Sequence, residues 1–277
     1  MGHDKLRKFA ENETFSCLLQ PSAEELLADG YFHLRDHAVK GRWNERFGNH
    51  NPIVLELGCG KGEYTVALAE RDPERNYIGV DIKGARLWKG AKYATEHALS
   101  NVAFLRTRVE FITAFFAPGE VSEIWLTFSD PQYRSENSRL SSPLFLERYR
   151  SFMKPGGIVH LKTDSRFLHE YTRAVCEANG LRILACTTDL YGTDDSASAI
   201  QPVVREVQTF YEQLFLEQGY PITYLSFVID HEGPFVSPRD PEQFDSKAWR
   251  AAEGPRLLFG HDSAETRRQK LHASETD

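Results

Sequence analysis

Several short apolar runs in this chain close on a carboxylate beside a turn, and that placement is its first chemical signal. Ile53-Val54-Leu55-Glu56-Leu57 leads into Gly58-Cys59-Gly60-Lys61-Gly62. Glycines allow a tight turn and let a ligand approach main-chain atoms closely. The spacing is G-x-G-x-G, whereas the dinucleotide pattern needs glycine at the position of Glu63. A pyrophosphate at a helix N-terminus disfavours a carboxylate beside it. Glu56 and Glu63 therefore argue against NAD or FAD and suit a cofactor without phosphates. S-adenosylmethionine is such a cofactor, with a sulfonium, an ammonium and two ribose hydroxyls. Asp81 closes the next apolar run, Tyr77-Ile78-Gly79-Val80-Asp81, where an acid can accept ribose hydroxyl hydrogen bonds.

Three more acids recur in the same manner. Thr127-Phe128-Ser129-Asp130-Pro131-Gln132-Tyr133 places Asp130 after a strand, with Pro131 fixing the local backbone. A carboxylate there can hold the edge of a base while a ring nitrogen attacks a methyl group. Lys162-Thr163-Asp164-Ser165 closes a further strand, and Asp164 or Ser165 can also open the next helix as an N-cap. Thr209 and Glu212 are three apart in a helical run, so they are expected to share a face.

The elements that must position these acids alternate regularly. Strands are expected at 53–57, 76–80, 102–106, 124–128, 158–163, 182–187 and 222–229. Helices are expected at 63–71, 83–99, 111–117, 165–177 and 203–218, with another opened by Ser142-Pro143. Repeated strand–helix units at this length predict an α/β fold with a mostly parallel seven-stranded sheet covered on both faces. The two strands around the Val203 helix are expected at the far edge. Residues 1–48 read as an N-terminal segment, partly helical or flexible and without a clear strand. Residues 49–229 form the main domain. Residues 230–277 read as a polar appended tail with the composition of a flexible segment, holding 7 basic and 10 acidic residues.

The 277 residues carry a formal net charge of −7 and are 41% apolar. These values exclude a broadly basic, histone-like binder and a disordered chain. No apolar run approaches the ~20 residues of a bilayer span, so no membrane role is expected. The polar start predicts no secretory segment. Cys17, Cys59, Cys176 and Cys186 include no C-x-x-C pair. A reduced cytoplasmic chain with no metal is the expectation. Oligomeric state stays open between monomer and homodimer. One segment opposes the acidic balance: residues 83–108 have a local net charge of +5, interleaved with Trp88 and Tyr93. Lys89 and Lys92 there, with Lys5, Arg7 and Lys8, are candidates for attracting RNA, and the two aromatics for stacking on bases.

Taken together, Leu57-Gly58-Cys59-Gly60-Lys61-Gly62, Gly79-Val80-Asp81, Phe128-Ser129-Asp130-Pro131, Lys162-Thr163-Asp164 and Thr209-Phe210-Tyr211-Glu212 resemble the bacterial tRNA (guanine-N7)-methyltransferases. The resemblance runs from about residue 6 to residue 229. It implies a Rossmann-like class I methyltransferase fold. It also implies methyl transfer from S-adenosylmethionine to N7 of guanine-46 in the variable loop of tRNA. On that resemblance the cofactor residues are Glu56, Gly58, Cys59, Gly60, Gly62, Asp81, Ile82, Arg108 and Asp130, with Asp130 also catalytic. Arg134, Asp164, Thr209, Tyr211 and Glu212 would bind the substrate. The chain departs from the family in three places. Residues 132–139 are thinner in basic charge, Arg108-Val109 replaces a usual Asp-Ala, and the tail has no counterpart. Two alternatives follow from the residues. Asp130-Pro131-Gln132-Tyr133 approximates an amino-methyltransferase motif for a base or a protein side chain. The thinned basic loop suits a non-catalytic RNA-binding protein on the same fold.

Overall fold

Runs such as Ile53–Leu57 show no polar–apolar alternation, and in the structure they are buried along their whole length. The structure is a computed structural model that describes residues 2–27, 33–192, 200–238 and 241–254. Its first compact unit, Met1–Arg239, contains in chain order α1 (Gly2–Asn12), β1 (Leu18–Leu19), α2 (Ala23–Leu26), α3 (Trp43–Phe47), β2 (Ile53–Leu57), α4 (Glu63–Arg71), β3 (Asn76–Asp81), α5 (Gly84–Glu96), β4 (Val102–Arg106), β5 (Val121–Thr127), α6 (Pro143–Arg150), β6 (Met153–Thr163), α7 (Arg166–Ala178), β7 (Ile183–Thr187), α8 (Pro202–Glu206), α9 (Phe210–Glu217) and β8 (Thr223–Val228). A second unit, Asp240–Asp277, contributes a 3-10 turn (Pro241–Phe244) and α10 (Ser246–Glu253) among its described residues. The rest of the expected tail, 255–277, lies outside the described residues.

The strands form one sheet in the order β1-β4-β3-β2-β5-β6-β8-β7. All pairings are parallel except those of β8 with β6 and with β7. The seven expected strands are all present, with β7 and β8 at the far edge. An eighth, β1, joins the opposite edge: the Phe104 N–H donates to Cys17 O at 2.7 Å, and Leu18 pairs with Phe104. Two residues are too few to leave a periodic signal, so the sequence gives no sign of it. The expected helix at 111–117 is a 3-10 turn over Val109–Ala114.

The N-terminal segment is part of the same core. In α1, Asn12 Nδ2 donates to Gly84 O at 3.0 Å, and Trp88 Nε1 donates to Glu11 at 2.6 Å. Arg7, Lys8 and Lys92 all sit over the Trp88 ring. Trp88 therefore anchors α1 to α5 and is not a free stacking platform. Residues 230–238 run back over the sheet's helices. Asp230 accepts from Gly156 N at 2.8 Å, Arg150 donates to His231 O at 3.0 Å, and Asn179 exchanges two hydrogen bonds with Val236.

Candidate active site

In an open parallel sheet, ligands bind at the carboxyl ends of strands where the strand order reverses. Here that point is β2, with β3 on one side and β5 on the other. The glycine loop follows β2, Asp81 ends β3, and the Asp130 loop follows β5. The glycines are required by the backbone: Gly58, Gly60 and Gly62 have φ of 78°, 57° and 72°. Gly62 is also a packing position, since a Cβ there would lie 2.5 Å from the Phe104 ring. The loop is pinned to its neighbour strand by Gly58 N and Cys59 N, which both donate to Val80 O. Cys59 is buried, and burial pushes its thiol well above the ordinary range, so it stays neutral.

Two carboxylates line this loop. Asp81 accepts from Gly60 N at 3.0 Å through one oxygen and from Lys83 N at 2.7 Å through the other. Each oxygen keeps acceptor capacity. Ile82, the next residue, exposes 52% of its surface at the same edge. Glu56 is buried in the middle of the sheet. One of its oxygens accepts from Thr65 N at 2.8 Å and from the Thr65 hydroxyl, the other from the Thr127 hydroxyl. Burial, offset by the two threonines, holds its carboxyl up at about 7, with the Asp81 charge pushing the same way. The glycine cradle, two acids and an apolar lip suit a cationic ligand bearing ribose hydroxyls, as S-adenosylmethionine does.

The Asp130 loop is strained on both sides. Phe128 and Gln132 are non-glycine residues at φ of 49° and 48°, a left-handed conformation that costs on the order of 1 kcal/mol each. Asp130 itself is exposed, and one oxygen accepts from Gln132 N at 2.9 Å. The loop is held by a residue that sequence reasoning placed in the thinned basic run. Arg139 is buried, donates to Pro131 O at 3.2 Å and to Tyr133 O at 3.1 Å, and lies over the Phe167 and Tyr171 rings. It is a clamp and not an RNA contact. Its signal in the sequence, an arginine among polar residues, is the same as that of a surface arginine. Leu140 then brings the segment back to within 3.9 Å of a Cβ built on Gly58.

The expected helix over 203–218 is two helices, and a buried lysine explains the break. Lys162 Nζ donates to Val204 O at 2.6 Å and to Val207 O at 2.8 Å. Those carbonyls would accept from Gln208 N and Tyr211 N in a continuous helix. With them taken, the chain restarts at Thr209, which caps α9: Glu212 N donates to Thr209 Oγ1, and Thr209 N donates to the Glu212 carboxylate. Val207 is buried, and Tyr211 points outward.

Glu212, expected to bind the substrate, is buried in this structure. Its side chain is 0% exposed, paired with the equally buried Lys162 at 2.7 Å, and it accepts from Tyr191 OH at 2.6 Å. Burial drives the Lys162 ammonium below its ordinary range, while the Glu212 charge pulls it back up. Phe128 N donates to Lys162 O at 2.9 Å, which links this pair to the Asp130 loop.

The remaining expected residues divide by position. Asp164 is half-buried at the end of β6, and Ser165 takes the N-cap of α7, accepting from Leu168 N. Tyr211 and Phe210 are exposed side by side, with Lys61 of the glycine loop over both rings. Glu63 fixes this edge by accepting from Phe210 N at 3.2 Å and pairing with Lys89 at 2.7 Å. Arg134 is exposed and has no ion-pair partner among the described residues. Arg108 follows Thr107, whose N–H donates to Asp81 O at 3.2 Å, and its guanidinium pairs with Glu110 at 3.1 Å. No group of three or more His, Cys, Asp or Glu among the described residues could hold a metal ion. No helix among them is long and apolar enough to cross a membrane.

The profile of a family described as "Putative methyltransferase" matches residues 50–225, the span from the strand before the glycine loop into β8. A tRNA (guanine-N(7)-)-methyltransferase of Christiangramia forsetii is 52% identical over 229 residues, covering 82% of this chain and 98% of the relative. This chain belongs to the tRNA (guanine-N7-)-methyltransferase family. A second member, from Bacteroides thetaiotaomicron, is 46% identical over 86% of this chain and 90% of its own length. Among solved structures, a 16S rRNA methyltransferase, KamB, superposes with a TM-score of 0.53 at 16% identity, over 75% of this chain and 97% of that one. That likeness establishes the class I methyltransferase fold. As a member of the family, the chain is a methyltransferase whose methyl donor is S-adenosylmethionine.

Proposed function

We propose that this enzyme transfers a methyl group from S-adenosylmethionine to N7 of guanine in tRNA, at guanine-46 of the variable loop, and that it works in the cytoplasm. The observation that carries the site assignment is the meeting of the Gly58–Gly62 cradle and Asp81 with the strained Asp130 loop at one switch point. The cofactor, when bound, supplies a methyl carbon made electrophilic by its sulfonium. Asp81 and Gly60 hold the ribose end, Ile82 covers the adenine, and the Glu56 carboxyl lies beneath the cradle, where a bound cation would favour its ionised form. N7 of guanine has an in-plane lone pair and no proton to lose, so no strong general base is needed. The chain's task is to hold N7 in line with the methyl carbon. Positive charge then moves onto the guanine, and the exposed Asp130 carboxylate stabilises it. Asp164, Thr209 and Tyr211 face the base, and Arg134 takes a phosphate. Glu212 serves by fixing Thr209 and Tyr211 through the cap and the Lys162 pair. Methylation of unmodified tRNA transcripts, with the product nucleotide mapped by mass spectrometry, tests the reading. Methyl on N7 of guanine-46 supports it; methyl on an exocyclic nitrogen overturns it in favour of the amino-methyltransferase alternative.

A further inference from the structure

The acidic protein must still attract a polyanion, and the structure sorts its basic residues into spent and available charges. Of those expected to attract RNA, Arg7 and Lys8 pair with Asp4, and Arg7 also with Glu11. Lys89 pairs with Glu63, Lys92 with Glu96 and Arg108 with Glu110. Lys5, Lys83, Arg86 and Arg106 have no acidic partner among the described residues. These four come from three elements that meet at one corner. Lys5 and Arg106 both sit over the Phe9 ring, at 5.8 and 5.0 Å. Gly84 lies between them: a Cβ there would meet Phe9 at 2.9 Å and Arg106 at 3.0 Å. Lys83 and Arg86 flank that glycine at the start of α5, whose first turn contains no acid.

We propose that this corner, built from α1, the β3–α5 turn and the end of β4, is where the tRNA phosphate backbone docks. The inference rests on the tRNA reading of the active site and adds the path of the RNA to it. Three observations favour a polyanion over a solvated face. The charges are unneutralised in a chain of net charge −7. They are gathered from residues 5, 83, 86 and 106 by packing on one aromatic ring and one glycine. They adjoin Asp81 and the exposed Ile82, so a strand lying on them passes the mouth of the cofactor cradle. Arg106 is further oriented by Gln20, to which it donates at 3.4 Å, and that contact adds no negative charge.

The test is the salt dependence of tRNA binding by the full-length enzyme, read by fluorescence anisotropy. Each phosphate contact contributes about 0.9 to the slope of log K against log salt. Lys83→Gln with Arg86→Gln is expected to lower the slope by about two and to weaken binding about tenfold or more at 0.15 M salt. The melting temperature and the cofactor dissociation constant should be unchanged, because neither side chain has a hydrogen-bond or ion-pair partner among the described residues. The control is Lys154→Gln with Arg182→Gln, two exposed cations at the amino ends of β6 and β7, which should leave the slope as it is. An unchanged slope in the corner variant, or an equal loss in the control, overturns the proposal. If the wild-type enzyme methylates N7 of guanine in the same assays, only the docking surface falls. If it neither binds nor methylates tRNA, the reading of function falls with it.

Discussion

The Lys162–Glu212 pair allows the sharpest test of how this site is built. Both side chains are fully buried, and all three ammonium protons are used, on Val204 O, Val207 O and Glu212. Replacing Glu212 by Gln keeps the shape and the tyrosine contact but leaves the ammonium in the interior with neutral partners only. Removing one member of a buried pair typically costs about 3–5 kcal/mol. The two remaining carbonyls place Glu212→Gln near the lower end, at about 3 kcal/mol. For a domain of this size that corresponds to a drop in Tm of roughly 6–12 °C. Lys162→Met should cost at least as much, because it also orphans Val204 O and Val207 O, the carbonyls that end α8. The double variant should cost less than the sum of the singles by about 2 kcal/mol. Urea unfolding of the four proteins, followed by circular dichroism, gives these numbers. Activity should fall in step with stability, with the cofactor dissociation constant largely kept. If Glu212→Gln lost less than about 1 kcal/mol while guanine methylation collapsed, the carboxylate would be a base-recognition group and the structural reasoning would be refuted.

Asp130→Asn keeps the acceptor for Gln132 N but removes the charge, so turnover should fall about 100-fold with Tm and cofactor affinity nearly unchanged; near-normal turnover would remove Asp130 from the charge-stabilising role. The Glu56 carboxyl sits at about 7 in the fold against an ordinary 4.5. Its protonated form is present in both states below pH 4.5, and the unfolded chain loses that proton first as pH rises. The stability of the cofactor-free protein relative to Glu56→Gln should therefore decline by on the order of 3 kcal/mol between pH 4.5 and 7 and then level off. A difference that does not vary with pH across that window would contradict the assignment. Gly79→Ala would place a Cβ 2.8 Å from both Phe104 and Thr65 Oγ1. It should cost about 1–3 kcal/mol, measurable by thermal unfolding, and should weaken cofactor binding because Thr65 holds Glu56. A variant as stable as the wild type would show that the Phe104 ring can yield.

Much of the framework is written locally. Unbroken apolar runs mark β2, β3 and β4, because strands buried on both faces need no polar side. The glycines at 58, 60 and 62 stand where φ is positive, and that requirement is visible residue by residue. The acids Glu56, Asp81, Asp130 and Asp164 follow from the same order, since each stands at or near the end of a strand and the parallel sheet gathers those ends. Pairing between distant residues is not local, and there the fold decided. Lys162 and Glu212 read as separate polar positions, yet their meeting breaks one apolar-periodic helix into α8 and α9 and buries the Glu212 carboxylate. Arg139 reads as a surface charge and becomes a buried clamp under the Asp130 loop. Trp88 reads as a stacking platform and becomes the anchor of α1, through a hydrogen bond to Glu11 that spans 77 positions. Lys89 and Lys92 read as free cations and are spent on Glu63 and Glu96, while Lys5 and Arg106, far apart in the chain, meet on Phe9. Residue type and spacing determine which groups are present at the sheet's edge. Which of them remain free for a ligand depends on long-range neighbours, because a buried polar group must find a partner wherever packing supplies one.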